Sequence, residues 1–214
     1  MAANDMDSQN VIYYSNILIL ATLAVVCRAL STSQGHSRSY YSTISGNYML
    51  YPERWLFQFG IYAFVIVHAI QGGATIRLIS NGFISNTLVF MEIVELVSLV
   101  IIASVPVQKI LGLHALLGFF LFGSSLIWMI GLGIATTTST YTLILTRLCI
   151  ILTALSCIYN MVSSLPFDVI EELSRAQGDE MKKLQLLGHD KRWNRFAVYE
   201  WLYFFCMIAF LLCT

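Results

Sequence analysis

Charge is the scarcest ingredient of this chain: Asp, Glu, Lys and Arg make up only 11% of its 214 residues, against 57% hydrophobic. No Lys or Arg precedes Arg28, while Asp5 and Asp7 stand near the start. A secretory signal peptide needs a basic n-region, and a mitochondrial presequence needs arginine and few acids. Neither is expected here, and the first apolar run should remain in the mature protein. The sequence also lacks HxxxH, HExxH and any His/Cys cluster at ligand spacing, so no metal site is expected. A Gly-rich phosphate loop, a GxSxG elbow and a basic nucleic-acid patch are absent too, which argues against a cofactor or a nucleic-acid partner. The five cysteines (Cys27, Cys149, Cys157, Cys206 and Cys213) all fall in or at the ends of apolar runs. With none in a polar loop, they read as buried apolar residues and not as a disulfide framework.

What the chain has is continuous apolar sequence. Crossing a bilayer takes about 20 mostly apolar residues, and six stretches approach or exceed that: Val11–Cys27, Trp55–Ile79, Asn86–Val105, Leu111–Ala135, Tyr141–Ser164 and Phe196–Cys213. The short alternating segments of a transmembrane barrel are missing. The expected fold is all-α: a polytopic membrane protein with six transmembrane helices in one bundle spanning residues 1–214. Two polar loops are substantial, 28–54 and 165–195. The short remaining connections make successive helices antiparallel neighbours.

Loop 165–195 carries six of the 12 basic and six of the 12 acidic residues. Within it, Gly178 stops one helical segment and Asp179 caps DEMKKLQLL, whose Met181, Leu184 and Leu187 share a face. That short helix either packs on its own bundle or meets the membrane surface or a protein partner. KRWNRF then sets cations and an aromatic at the headgroup level before the last span. Ten of the 12 basic residues lie on loops one, three and five, leaving Arg77 at a span end and Arg147 within span five. The positive-inside tendency puts those loops in the cytosol or matrix and both termini on the opposite side.

Ionisable residues inside the spans are costly and mark functional candidates by default. They are His68, Glu92 and Glu95, His114 near the start of span four, Arg147 and Glu200. Glu92 and Glu95 are three apart and share a helix face. Two carboxylates so close in a low dielectric rarely both ionise and are expected to share a proton. Arg147 is the natural partner for one of them. The set reads either as a polar cavity for a lipid headgroup or a proton-accepting pair with a histidine, or as an internal network that fixes helix packing. Gly72 and Gly73, after His68, would permit close helix approach.

The segments TISGNYMLYPERWLFQFGIY, MEIVELVSLVIIASVPVQKILGLHALLGFF and FAVYEWLYFF together resemble a six-span family. It contains the damage-regulated autophagy modulators, the Sfk-type proteins and the post-GPI-attachment remodelling factors. The first loop matches with Ile44, Ser45, Pro52, Glu53 and Arg54, span three with Glu95, the start of span four with His114, and the last span with Glu200. The Pro-Glu-Arg-aromatic version looks closest to the GPI-remodelling branch. The resemblance implies a lipid-handling factor of the secretory pathway that acts on GPI anchors. It implies cytosolic termini, opposite to the charge count. If the chain is catalytic, His114 is the expected base and Glu95 its orienting carboxylate. Glu92, His68, Arg147, Glu200 and Arg54 then form a lipid-binding or structural polar network.

A second class stands beside this one: a non-catalytic accessory subunit of a larger membrane complex, such as a respiratory or ATP-synthase assembly of the mitochondrial inner membrane. The charge bias and the partner-ready loop 165–195 favour it. A lipid-accessible cavity reaching Glu92, Glu95 and His114 would speak for lipid handling; full pairing of these groups would speak for the subunit.

Overall fold

Apolar runs punctuated by Gly, Pro and polar residues form helices, because lipid offers backbone N–H and C=O groups no other partner. The computed structural model describes residues 2–36, 43–44, 46, 50–77, 82–105, 111–135, 140–165, 167–168, 171 and 190–213. These hold six helices: α1 (Ala2–Ser33), α2 (Glu53–Arg77), α3 (Gly82–Ser104), α4 (Leu111–Ala135), α5 (Tyr141–Ser164) and α6 (Lys191–Leu212). There is no strand among the described residues. Four helices, α3 to α6, are long and apolar enough to cross a membrane, as an integral membrane protein requires. The amphipathic segment expected at 179–187 lies outside the described residues.

Local chemistry sets the helix ends. α1 runs on past Cys27 through the polar RALSTS and stops at Gly35, whose φ of 69° is left-handed. There the Gly35 N–H bonds the Thr32 carbonyl (3.1 Å) and the His36 N–H bonds the Ser31 carbonyl (2.9 Å). This is the Schellman closure that glycine favours, and it fixes where His36 points. α5 ends at Leu165, which is extended (ψ 118°) because proline follows it. α6 begins on Asp190, whose side chain accepts from the Arg192 and Trp193 backbone N–H groups.

Successive helices pack as neighbours, most extensively α3 on α4 and α5 on α6, and α6 also touches α1 and α4. Glycine permits two of the close approaches. A Cβ on Gly60 would lie 2.6 Å from Leu23, and one on Gly131 would lie 2.7 Å from Leu88. Small residues at such crossings let backbones approach in lipid, where packing rather than water exclusion holds helices together. Gly72 and Gly73 lie outside the side-chain surroundings that are described. The outward faces are apolar: on α5, Ile144, Leu145, Leu148, Leu152 and Leu155 are exposed while Arg147, Ala154, Cys157 and Met161 turn inward.

The interior is divided into two cores. Leu20, Leu23, Cys27, Phe57, Ile61, Phe64, Ile102 and Ala103 form one among α1, α2 and α3. Leu88, Trp128, Met129, Leu132, Ala154, Met161, Tyr203 and Phe210 belong to the other, among α3 to α6. α3 belongs to both, and the seam between them holds the candidate site.

Candidate functional site

α3 brings Glu95 to this seam, where it is 2% exposed. Beside it lies a cavity of about 150 Å³ whose walls come from both cores, with Leu23, Phe57 and Phe64 on one side and Phe122, Met161 and Phe196 on the other. Glu95, His114 and Glu200 are the ionisable groups among its described lining residues. They come from the middle of α3, the first turn of α4 and the first half of α6. The cavity therefore sits in the half of the bundle nearest loops one, three and five.

These three groups differ in how they are held. Glu200 Oε2 accepts from the Ile44 backbone N–H at 2.8 Å, pinning the first loop to α6. Ile44 in turn lines the cavity. The loop is shaped there by Thr43, fully buried, whose Oγ1 accepts from the Gly46 N–H at 2.9 Å. Glu95, in contrast, makes no hydrogen bond or ion pair with the described residues. His114 Nδ1 is buried and has no hydrogen-bond partner among them. Glu95 and His114 thus share a cavity without bonding each other. Catalytic contacts often tighten only when a ligand arrives.

Glu95 also walls a smaller pocket of about 10 Å³, with His68, Ser125 and Trp128. That is about the volume one water requires. His68 is stacked on Phe64, with ring centroids 5.2 Å apart, and lies 5.9 Å from the Trp128 ring. Trp128 Nε1 is buried without a hydrogen-bond partner among the described residues. Glu95 therefore lies, with Phe64 and Met207, in the wall that the large chamber shares with a smaller pocket.

The remaining expected residues lie elsewhere. Glu92 is buried on the same α3 face but lines neither chamber, because the large one lies beside the later half of α3. Arg147 directs Nε and Nη2 at the Cys213 backbone carbonyl (2.9 and 2.7 Å), closing the end of α6. Glu92 and Glu95 have no ion pair among the described residues, so neither is the partner of this arginine. Arg54 lies 5.7 Å from the Tyr51 ring centroid in a cation–π contact.

One polar cluster was not anticipated. Glu53, fully buried at the start of α2, meets His36 Nδ1 through Oε1 at 2.8 Å. The Cys27 thiol donates weakly to the Glu53 carbonyl at 3.8 Å. The cluster ties the end of α1 to the start of α2 across the first loop. Its local signals are Gly35, the helix stop that positions His36, and Glu53 itself, which stands in the Pro-Glu-Arg motif.

No family model matches this chain, and neither a curated protein nor a solved structure matches it.

Proposed function

We propose that all six helices cross the bilayer and that the chain is a lipid-handling factor of a secretory-pathway membrane, of the kind its motifs resemble in the GPI-remodelling branch. The observation that carries this reading is the apolar cavity at the seam between the two cores, with Glu95 and His114 on its wall. A structural polar network is expected to be closed on itself. Here a carboxylate and an imidazole face the same chamber with bonding capacity to spare, as a site that receives a ligand requires. In this reading the apolar walls hold part of a lipid, and Glu95 and His114 act on the polar group at its end. His114 supplies a base, and Glu95 orients it once the ligand has closed the gap.

The test is expression of Glu95→Gln and His114→Ala in cells lacking the endogenous chain, followed by mass spectrometry of GPI-anchor lipids and immunoblotting. Loss of remodelling at unchanged protein level is the expected result. A fall in protein level alone would make the cluster a packing device. Migration of the native protein inside a large respiratory assembly after mild-detergent extraction would overturn the lipid reading altogether.

A further inference from the structure

We propose that the cavity takes up the ammonium end of an amine-bearing lipid, with Glu95 as its counter-ion. The inference rests on the lipid-handling reading above and specifies which lipid chemistry the site selects.

Size narrows the ligand first. A cavity of about 150 Å³ is close to that of an engineered apolar cavity in another protein that holds one benzene, roughly six heavy atoms. A whole acyl chain or a glycan does not fit. An ethanolamine or choline end does, with its tails left to the apolar outer surface of the bundle.

Charge narrows it further. The described lining carries two carboxylates, Glu95 and Glu200, and no Lys or Arg. A phosphate or carboxylate group brought here would meet acids with no cation to offset them, which rejects anionic ends. A neutral alkyl end would leave Glu95 buried without a partner. An ammonium supplies the missing positive charge.

The walls supply the third argument. Phe64, Phe122, Trp193, Phe196 and Phe204 all line the chamber. Trp193 and Phe196 are stacked with centroids 5.4 Å apart. Aromatic faces attract alkylated ammonium groups, most strongly when both are removed from water. Placement agrees with the chemistry. The cavity lies in the half of the bundle toward the loops, where lipid headgroups are, and α6 contributes Trp193 from its first turn.

The experiment uses the full chain in nanodiscs of phosphatidylglycerol, which brings no amine of its own. Three photo-crosslinking probes are compared, each with its diazirine within a few carbons of the polar end: a sphingosine, its N-acetylated counterpart and a palmitate. Labelled positions are read by peptide mass spectrometry. Sphingosine should label the cavity-lining stretches of α4 and α6, the neutral and anionic probes should not, and Glu95→Gln should reduce sphingosine labelling about tenfold or more. The comparison among probes on the unaltered chain needs no variant to fold. Equal cavity labelling by all three probes would overturn the ammonium proposal and leave the lipid reading standing. No cavity labelling by any probe would sink both. Competition separates the sources of the ammonium. Displacement by lysophosphatidylcholine but not by tetramethylammonium supports a lipid ligand, and equal displacement by the two would overturn the lipid source in favour of a small soluble amine.

Discussion

Tyr203 and Glu95 are polar side chains buried in one bundle, and their surroundings could hardly differ more. The Tyr203 hydroxyl donates to the Phe122 carbonyl at 2.8 Å and shares a hydrogen bond with Ser125 Oγ at 2.6 Å, with its ring edge-on to Phe122. The side chain is entirely enclosed. Glu95, reached through the Ser125 pocket, has an open chamber on its other side and no bond to the described residues. Arg147, with two bonds to one carbonyl, belongs with Tyr203. Trp128 Nε1 and Ser164 Oγ are also buried without a hydrogen-bond partner among the described residues, so what sets Glu95 apart is that its unbonded carboxylate borders an open chamber, where it is better explained by what it receives than by what it supports.

The sharpest way to break that comparison is to remove each member in turn. Tyr203→Ala deletes a fully buried ring and its two hydrogen bonds, and should cost about 3–5 kcal/mol of stability. Glu95→Gln breaks no bond to the described residues and exchanges one buried unbonded polar group for another of the same size, so it should shift stability by about 1 kcal/mol or less. Thermal unfolding in mild-detergent micelles, followed by tryptophan fluorescence, measures both. Comparable losses for the two variants would make Glu95 as structural as Tyr203.

How much of this was legible beforehand depends on the residue. Glu95 was legible because an acid in an apolar run declares itself. That Glu92 shares its face was legible too, from a spacing of three. Which of them borders a cavity was not, since that depends on where along α3 the two cores part. Arg147 was expected to meet a glutamate, yet α5 packs chiefly on α6, so its guanidinium meets the end of that helix. Helix pairing is a tertiary fact that charge complementarity alone does not decide. The His36–Glu53 contact closes across a polar loop with no periodicity, and only Gly35 and the Pro-Glu-Arg motif marked its two ends. The all-helical character, by contrast, follows from the apolar runs themselves.

A second variant sharpens the contrast between packed core and open seam. At Gly131, between α3 and α4, even a methyl group would collide with Leu88, whereas at Gly123 on the same helix nothing lies within 4 Å. Gly131→Ile should therefore destabilise the chain by about 1–3 kcal/mol through overpacking, and Gly123→Ala should leave it unchanged or slightly firmer. The melting midpoints of the two variants in the same detergent are the measurement. An equal response would mean that the Leu88 side chain swings away at little cost and that the α3–α4 contact is looser than its geometry.

The smallest effect is expected at the start of α6, where the candidate site meets the polar loop. Asp190 caps the helix and accepts from Arg192, which also reaches Asp168 with both amino groups at 2.9 Å. The hydrogen bond from Arg192 is the main cause that holds the Asp190 carboxyl below its ordinary range. A carboxyl whose folded pKa is depressed adds stability above its unfolded pKa, roughly 3.9, and loses it as pH falls through the folded value. The Asp190 contribution should accordingly be constant at neutral pH and disappear only in strong acid. Asp190→Ala should cost about 1 kcal/mol at pH 7, most of it from the lost cap, because the ion pairs of Arg192 are exposed and screened. Asp190→Asn keeps an N-cap acceptor and should recover most of that loss while removing the acid dependence. Melting curves of the three proteins from pH 7 down to pH 3 separate the two contributions. An acid dependence that persists undiminished in Asp190→Asn would mean that Asp190 is not the group that titrates.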